Sequence, residues 1–521
     1  MRRFFFVLLA FAAFTFPAFA QDKHPFTFDD MMKLKRVGEP EVSPDGKWVI
    51  FSVVDVSLEA NKKTPHIWIV PLDAHVGTAA PGRPAEQGSA GSSSAERILI
   101  ADQDADRPRW APDGKRFAFL STKEGGSQVW IADFDGATGT VAGVYKLTTM
   151  PTEAGGELWS PDGKNVLFTS DVYPECDGQA DEIACNAKKV DEAEKSKVKA
   201  QIFTHLLYRH WNAYKQGTRT HIFLVPVLTQ VHVYHDLTPG DYDAPEFSLG
   251  GQDDYAFSPD GQEICYTSNH DKNPAASTNN DLWIVPVNVG ADAFVRPASE
   301  ASARQPNDYV AEVLAKTKNI TADNPASDST PLYSPDERYI AYRAQQRPGY
   351  ESDRFRLMLY DRKTGEKKNL TEDLDRWVGT FVWSPFSTRV FFGTDDGGRS
   401  TVSSVLVSTG ERLQLPLMMV TATADDFIVT PNGENILFTI NSLEEPNAIY
   451  SSLLCPNGRD NPCGHLPPPP IHKLTYLNDA VLSQVAMSPL ESFWFTGAHN
   501  DKVEGFLVKP PNFDPSKKYP V

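Results

Sequence analysis

A short turn phrase returns along this chain, Ser-Pro-Asp-Gly or a worn copy of it, and each copy leads into a run of β-branched and aromatic residues. The copies begin at Ser43 (SPDGKWVIF), Ala111 (APDGKRFAF), Ser160 (SPDGKNVLF), Ser258 (SPDGQEICY), Ser334 (SPDERYIAY), Ser384 (SPFSTRVFF) and Thr430 (TPNGENILF), with a weaker eighth at Ser488 (SPLESFWF). The phrase reads as a β-turn: Pro presets φ at the second position, Asp folds its carboxylate onto the backbone, and Gly enters a left-handed conformation cheaply. A strand is expected after each copy.

A second strand signature follows at His66 (HIWIV), Gln128 (QVWIA), His221 (HIFLV), Asp281 (DLWIV) and Arg356 (RLMLY), with weaker forms near Val405 and Ala448. Ahead of the next turn stand Leu147-Thr148, Ile320-Thr321, Leu370-Thr371 and Leu474-Thr475, while Leu237-Thr238 sits further back. Units of roughly 45–50 residues holding several short strands point to propeller blades. A single blade cannot bury both faces, so the sheets must pack radially on one another. The expected fold is therefore all-β, a seven-bladed β-propeller, with eight blades as the alternative. The blade tryptophans Trp68, Trp130 and Trp283 are expected in the core.

With 40% hydrophobic and 23% charged residues, the composition is that of a soluble globular protein. A formal net charge of -18 argues against nucleic acid as a partner, because phosphate binding needs a basic face. Residues 1–20 read as a signal peptide: Arg2-Arg3, an apolar stretch from Phe4 to Phe16, and the small-x-small site Ala18-Phe19-Ala20. Export to the periplasm or the medium is expected, with no membrane association after cleavage and with disulfides stable. Of the five cysteines, Cys176 with Cys185 and Cys455 with Cys463 flank polar loops and are placed to staple hairpins, and Cys265 reads as a buried free thiol. Cys455, Cys463 and His465 lack a fourth ligand and a known metal spacing, so neither a metal nor any other cofactor is expected.

Most blades are compact. Gly77 to Ala95 is a low-complexity loop, and 466–471 (LPPPPI) reads as a polyproline connector. Residues 171–220 form an insertion with a lysine- and glutamate-rich stretch followed by QIFTHLLYRHWNAYKQGTRT, in which Ile202, Phe203, Leu206 and Leu207 suit a short amphipathic helix. A structured excursion of this kind is usually made for contact.

Four segments resemble the secreted prolyl oligopeptidase family of serine peptidases, in its dipeptidyl peptidase five and acylaminoacyl peptidase branch. They are MMKLKRVGEPEVSPDGKWVIFSV, LLYRHWNAYKQGTRTHIFLVPV, RPGYESDRFRLMLYDRKTGEKKNLT and VEGFLVKPPNFDPSKKYPV, and the resemblance covers essentially all of the mature chain. It implies a propeller over residues 21–480 acting as a lid on an α/β-hydrolase domain, with 481–521 as the crossover and first strands of that domain, cut short at Tyr519-Pro520-Val521. The weak eighth turn at Ser488 would mark the crossing.

Serine acyl transfer needs a nucleophile on a sharp strand-to-helix turn, read as Gly-x-Ser-x-Gly, with a base and an oxyanion hole in reach. The sequence has no such pentapeptide, and its nearest look-alike, Gly91-Ser92-Ser93-Ser94-Ala95, lies in the low-complexity loop. No catalytic residue is assigned, and the chain alone is expected to be inactive. The resemblance implies short peptides as partners, with an acidic propeller residue holding the substrate ammonium. Glu351 is the candidate for the amine, Arg209 or Arg354 for a peptide carbonyl, and Trp211 for a pocket wall. Against this, Glu351 to Arg354 also suits a solvated turn with its own salt bridge. The competing function is a non-catalytic periplasmic propeller of the Tol-system type that binds proteins, and a homo-oligomer stays open.

Overall fold

The computed structural model describes residues 23–72, 95–102, 104–179, 181–204, 206–210, 213–215, 217–227, 233–246, 253–289, 306–415, 422–454 and 470–520. The expected signal peptide, Trp211, Cys455 and Cys463 lie outside them. Seven four-stranded antiparallel sheets follow one another, each made from consecutive strands: blade 1 over 36–100, blade 2 over 105–146, blade 3 over 155–236, blade 4 over 255–319, blade 5 over 328–369, blade 6 over 381–414 and blade 7 over 423–473. The eighth turn phrase builds no blade: Leu490–Thr496 pairs only with Lys502–Val508, in a separate hairpin.

The repeated phrase closes the turn between the first and second strands of each blade. In blade 1 the Ser43 hydroxyl donates to Asp45 at 2.7 Å and accepts from the Trp48 amide at 3.0 Å, while the Gly46 amide closes on the Ser43 carbonyl at 2.8 Å. Ser160, Ser258 and Ser334 repeat the hydroxyl-to-aspartate bond, and Thr430 makes it to Asn432. Gly46 has φ 70°, and the worn copies place Glu337 (φ 64°) and Ser387 (φ 57°) in the same left-handed slot. The Leu-Thr pairs have an equally local task. Thr148, Thr238, Thr321, Thr371 and Thr475 each accept the amide that opens or continues the third strand, at 2.8–2.9 Å, where the outer strand has left the ladder.

Seven buried apolar clusters lie between adjacent blades. Ile50, Ile67 and Ile69 meet Trp110, Phe117 and Phe119 between blades 1 and 2, and Val37, Val49 and Phe51 meet Leu437, Ile449 and Leu474 between blades 1 and 7. The other five fill the remaining interfaces in turn. Trp130 is buried as expected, whereas Trp68 and Trp283 are half-buried at the edges of these clusters. Cys265 is buried and free.

Among the described residues blades 7 and 1 share no sheet, and no strand is exchanged to close the ring. Side chains close it instead. Asn478 accepts the Lys35 amide at 2.8 Å and donates to the Lys35 carbonyl at 2.9 Å, imitating one rung of a ladder, and Glu96 takes the Tyr476 amide on both carboxylate oxygens at 3.0 and 2.8 Å. A two-residue parallel bridge, His24–Pro25 with Val485–Ala486, adds to this seam.

Two helical expectations change. The helix of the insertion is α2 (Glu182–Lys195), in the lysine- and glutamate-rich stretch, N-capped by Asp181; α1 (Phe28–Lys33) precedes blade 1. The described residues around Ile202 to Leu207 are irregular, because their apolar side chains have no surface to cover: Ile202 is 85% and Leu206 59% exposed. A third helix, α3 (Pro306–Lys316), packs on blade 4 and has no counterpart in the strand-only reading.

Replacing Asn478 by Ala strips partners from both backbone groups of Lys35, and should lower unfolding free energy by about 1–3 kcal/mol in urea titrations. Asn478→Asp keeps the acceptor and should lose less.

Candidate functional site

The innermost strands carry a shared irregularity that shapes the bore. Ladder register shifts between Gly38 and Glu41, Asp106 and Arg109, Gly155 and Leu158, Ser329 and Leu332, and Asp425 and Ile428. Glu39, Arg107, Gly156, Thr330 and Asp426 sit at these bulges with φ between 51° and 62°. Pro follows three of them, at 40, 108 and 331, where the opened ladder asks for no amide. Each bulge residue stands four positions ahead of its turn phrase, and the same offset in blades 4 and 6 falls on Asp254 and Thr380.

These positions tie neighbouring blades together around the bore. The Arg107 amide donates to Ser52 of blade 1 at 2.9 Å, the Thr330 amide to Asp254 at 2.8 Å, and the Thr380 hydroxyl to Asp425 of blade 7 at 2.5 Å. Arg107 also reaches past blade 3, placing one guanidinium nitrogen 2.7 and 2.8 Å from the two Asp253 oxygens. Arg109 meets Glu39 at 2.6 Å and Glu41 at 3.6 Å. A polar lock of two arginines and several carboxylates thus spans blades 1 to 4, beside a cavity of about 540 Å³.

Burial pushes Glu157 up to about 8 against the pull of Arg107 and Arg109, and Glu41 is raised by the same cause. Glu39 ends below the ordinary range: burial pushes it up, but Arg109 and Arg107 outweigh that. Glu157 is fully buried, neither of its oxygens is hydrogen-bonded, and its nearest charge is the Arg107 Nε at 3.6 Å. A bare carboxylate there would be costly, so the neutral acid is favoured.

The insertion and the second-to-third-strand loop of blade 4 enclose another cavity, of about 420 Å³. Arg209, Lys215 and Arg219 come from the insertion side, and Asp241, Asp243 and Glu246 from the segment leading into blade 4. Lys215 pairs with Asp243, and Arg219 with Asp241 at 2.8 Å. Glu246 is pushed up to about 7, first by burial. His270 forms a wall, its ring stacked on Trp283 and tilted against Tyr242, with centroids 3.9 and 3.8 Å away.

A buried clasp roots this insertion. The Cys176–Cys185 disulfide is formed, and beside it His221 faces Asp236 through Nδ1 at 2.6 Å and the Gly240 carbonyl through Nε2 at 2.9 Å. Both partners are acceptors, so both ring nitrogens carry protons. Burial would draw the imidazole down, but Asp236 and Asp177 raise it to about 9. His221, Asp177 and Asp236 have a metal-like spacing, yet the doubly donating ring leaves no nitrogen lone pair for an ion.

The sequence candidates separate. Arg209 lines the insertion cavity, while Glu351 and Arg354 belong to a loop of blade 5 that does not line it. The Glu351 side chain is exposed. Arg354 is spent on the carbonyls of Thr371 (3.3 Å), Glu372 (2.7 Å) and Leu374, so it acts as a brace. Asp353, which had not been singled out, is the buried anchor of that loop, accepting the Gln346 and Arg347 amides at 2.7 and 3.0 Å. The bore residues also escaped the sequence reading, although their fixed offset from each turn was visible there.

No family model matches the chain. Dipeptidyl-peptidase 5 of Porphyromonas gingivalis is 26% identical over 528 residues, covering 99% of this chain and 65% of that protein; the same-named protein of Porphyromonas endodontalis is 25% identical over 100% and 67%. An acylaminoacyl peptidase solved with Z-Gly-Gly-Phe-chloromethyl ketone superposes with a TM-score of 0.63 at 15% identity, over 94% of this chain and 60% of that one. The β-propeller domain of the Trilobed protease from Pyrococcus furiosus, described as having an open velcro topology, gives 0.50 at 14% identity, over 86% and 97%. The chain therefore spans about two thirds of the curated relatives it matches.

Changing Glu157 to Gln isolates one titration of the bore. A carboxyl raised from 4.5 to about 8 contributes stability that is complete below pH 4.5 and is lost as pH rises through 8. The variant should match the parent near pH 5 and exceed it at pH 9 by roughly 2–4 kcal/mol in denaturant titrations; a variant weaker at both pH values would mean an ionised Glu157 paired with Arg107.

Over nearly its whole length the chain is thus similar to the dipeptidyl-peptidase 5 proteins, and its fold is the β-propeller found in solved acylaminoacyl peptidase and Trilobed protease structures.

Proposed function

We propose that this chain is the substrate-gating propeller portion of an exported serine exopeptidase that releases dipeptides or acylated residues from peptide N-termini. The observation that carries the reading is the hairpin of Leu490–Thr496 and Lys502–Val508. Along its first strand Phe493, Trp494 and Phe495 are 50–60% exposed, and side chains alternate between faces, so one face carries Phe493, Phe495, Val503 and Leu507 in the open and the other exposes Trp494 among polar residues. Phe506 of the second strand lies so close to Gly398 that a Cβ there would overlap its ring, which seats the hairpin on the second-to-third-strand loop of blade 6. By blade topology the insertion of blade 3 and the Glu351 loop of blade 5 lie on that same side, opposite the repeated turns. A two-stranded hairpin with an exposed apolar face is marginal alone, and a hydrolase domain docked on this side would bury it.

In this reading the lid admits short peptides and turns away folded proteins. The lock across blades 1 to 4 narrows the bore, which favours entry at the side. Arg209, at the rim of the insertion cavity, is the contact for a peptide carbonyl, and Glu246 within it offers the amine a more enclosed carboxyl than the exposed Glu351. The disulfide at the root of the insertion supports an oxidising compartment and hence export.

Purified chain incubated with dipeptidyl and acylaminoacyl chromogenic substrates should release no chromophore above blank, because no Gly-x-Ser-x-Gly nucleophile is present. Turnover that survives repurification would overturn the reading of this chain as a non-catalytic part.

A further inference from the structure

Blades 5, 6 and 7 enclose a third cavity, of about 360 Å³, whose walls carry charges of both signs that do not neutralise each other. On the blade 5 wall, Arg343 binds the Thr330 hydroxyl through Nε and Nη2 at 3.1 and 2.9 Å and lies 5.0 Å over the Phe355 ring. It makes no ion pair among the described residues. On the blade 7 wall, Asp425 accepts from the Thr380 hydroxyl at 2.5 Å, and Asp426 from the Thr439 hydroxyl at 2.9 Å. Neither has a cation within ion-pair distance among the described residues. Trp377, 47% exposed, forms a third side, set edge-on to Phe355 with ring centroids 5.3 Å apart.

A guanidinium and a carboxylate pair facing one cavity, without closing on each other, leave a gap for a molecule that carries both charges. We propose that this cavity binds a short peptide with both termini free, its carboxylate on Arg343, its ammonium on Asp425 and Asp426, and a side chain against Trp377. The electrostatics agree. Burial draws the Arg343 guanidinium below its ordinary value despite Asp254 and Asp425, and burial together with Asp425 pushes Asp426 up to about 6, so each wall gains from a counter-charge. The volume lies within the range of small-ligand pockets. A free-ended peptide is the class of product that an exopeptidase releases. The choice of a peptide over another zwitterion rests on that reading, whereas the gap between opposite charges does not.

The test is isothermal titration calorimetry of the full chain with Ala-Phe, its N-acetyl form, its C-terminal amide and 6-aminohexanoate, and it needs no catalytic activity. Ala-Phe should bind with a Kd in about the millimolar range. Either blocked form should bind about 10-fold more weakly. In Arg343→Met the amide and the free dipeptide should become equal, and in Asp425→Asn the acetylated form should approach the free one. Trp377→Ala, an exposed change, should weaken Ala-Phe and leave 6-aminohexanoate unaffected. Circular dichroism melts establish that each variant folds. The absence of Ala-Phe binding by the folded parent, insensitivity to both terminal blocks, or binding of 6-aminohexanoate alone would overturn the assignment.

Discussion

The contact between blades 7 and 1 carries this fold, because each blade buries its faces only against its neighbours and an open ring would bare two of them. Where a shared strand would close such a ring with ladder hydrogen bonds, here the closure is divided between the apolar cluster of Val37, Val49, Phe51, Leu437 and Ile449 and the paired bonds of Asn478 and Glu96. Burial sets the strength of the seam and the side-chain bonds set its register. Asn478 matters most there, since its amide satisfies an amide and a carbonyl of the same residue, as a neighbouring strand would. The parallel bridge at His24–Pro25 ties the segment leading into blade 1 to the one leaving blade 7, so both chain crossings sit at the seam.

Ring closure also determines what the bore can hold. Seven innermost strands converge there, and the bulges turn Glu39, Arg107, Thr330 and Asp426 out of their ladders and toward neighbouring blades. Arg107 joins blades that have no common interface by reaching Asp253, and burial pushes the Glu157 carboxyl beside it well above the usual range. The two side cavities follow the same geometry. One opens where the insertion leans over blade 4 and the other where blades 5, 6 and 7 meet.

The blade plan was legible because its signals are local: a Ser-Pro-Asp-Gly turn binds its own backbone, and a Leu-Thr pair caps the strand beside it. The insertion was misread for the opposite reason. The spacing of Ile202 and Leu206 suits a helix, but with no surface to cover the segment stays irregular, while Asp181 caps a helix in the charged stretch upstream. Among the candidate site residues, Arg209 reached a cavity and Arg354 became a loop brace, because charge in a sequence does not tell which backbone carbonyls lie within reach. The residues of the bore were marked by their offset from each turn, a signal that acquires meaning only when strands from seven blades are brought to one axis.

The proposed lid rests on three features: a closed ring, a bore lined by the paired charges of blades 1 to 4, and one side bearing the insertion, the Glu351 loop and a hairpin with exposed aromatic side chains. All of it depends on the seam staying shut. Native-state hydrogen exchange of the Lys35 and Tyr476 amides, the two donors to Asn478 and Glu96, probes that seam directly. Both amides should exchange with the free energy of global unfolding, in step with strand amides inside blades 1 and 7. Rapid exchange at these two amides while the blade interiors stay protected would show a ring that opens in the native state, and would contradict the account.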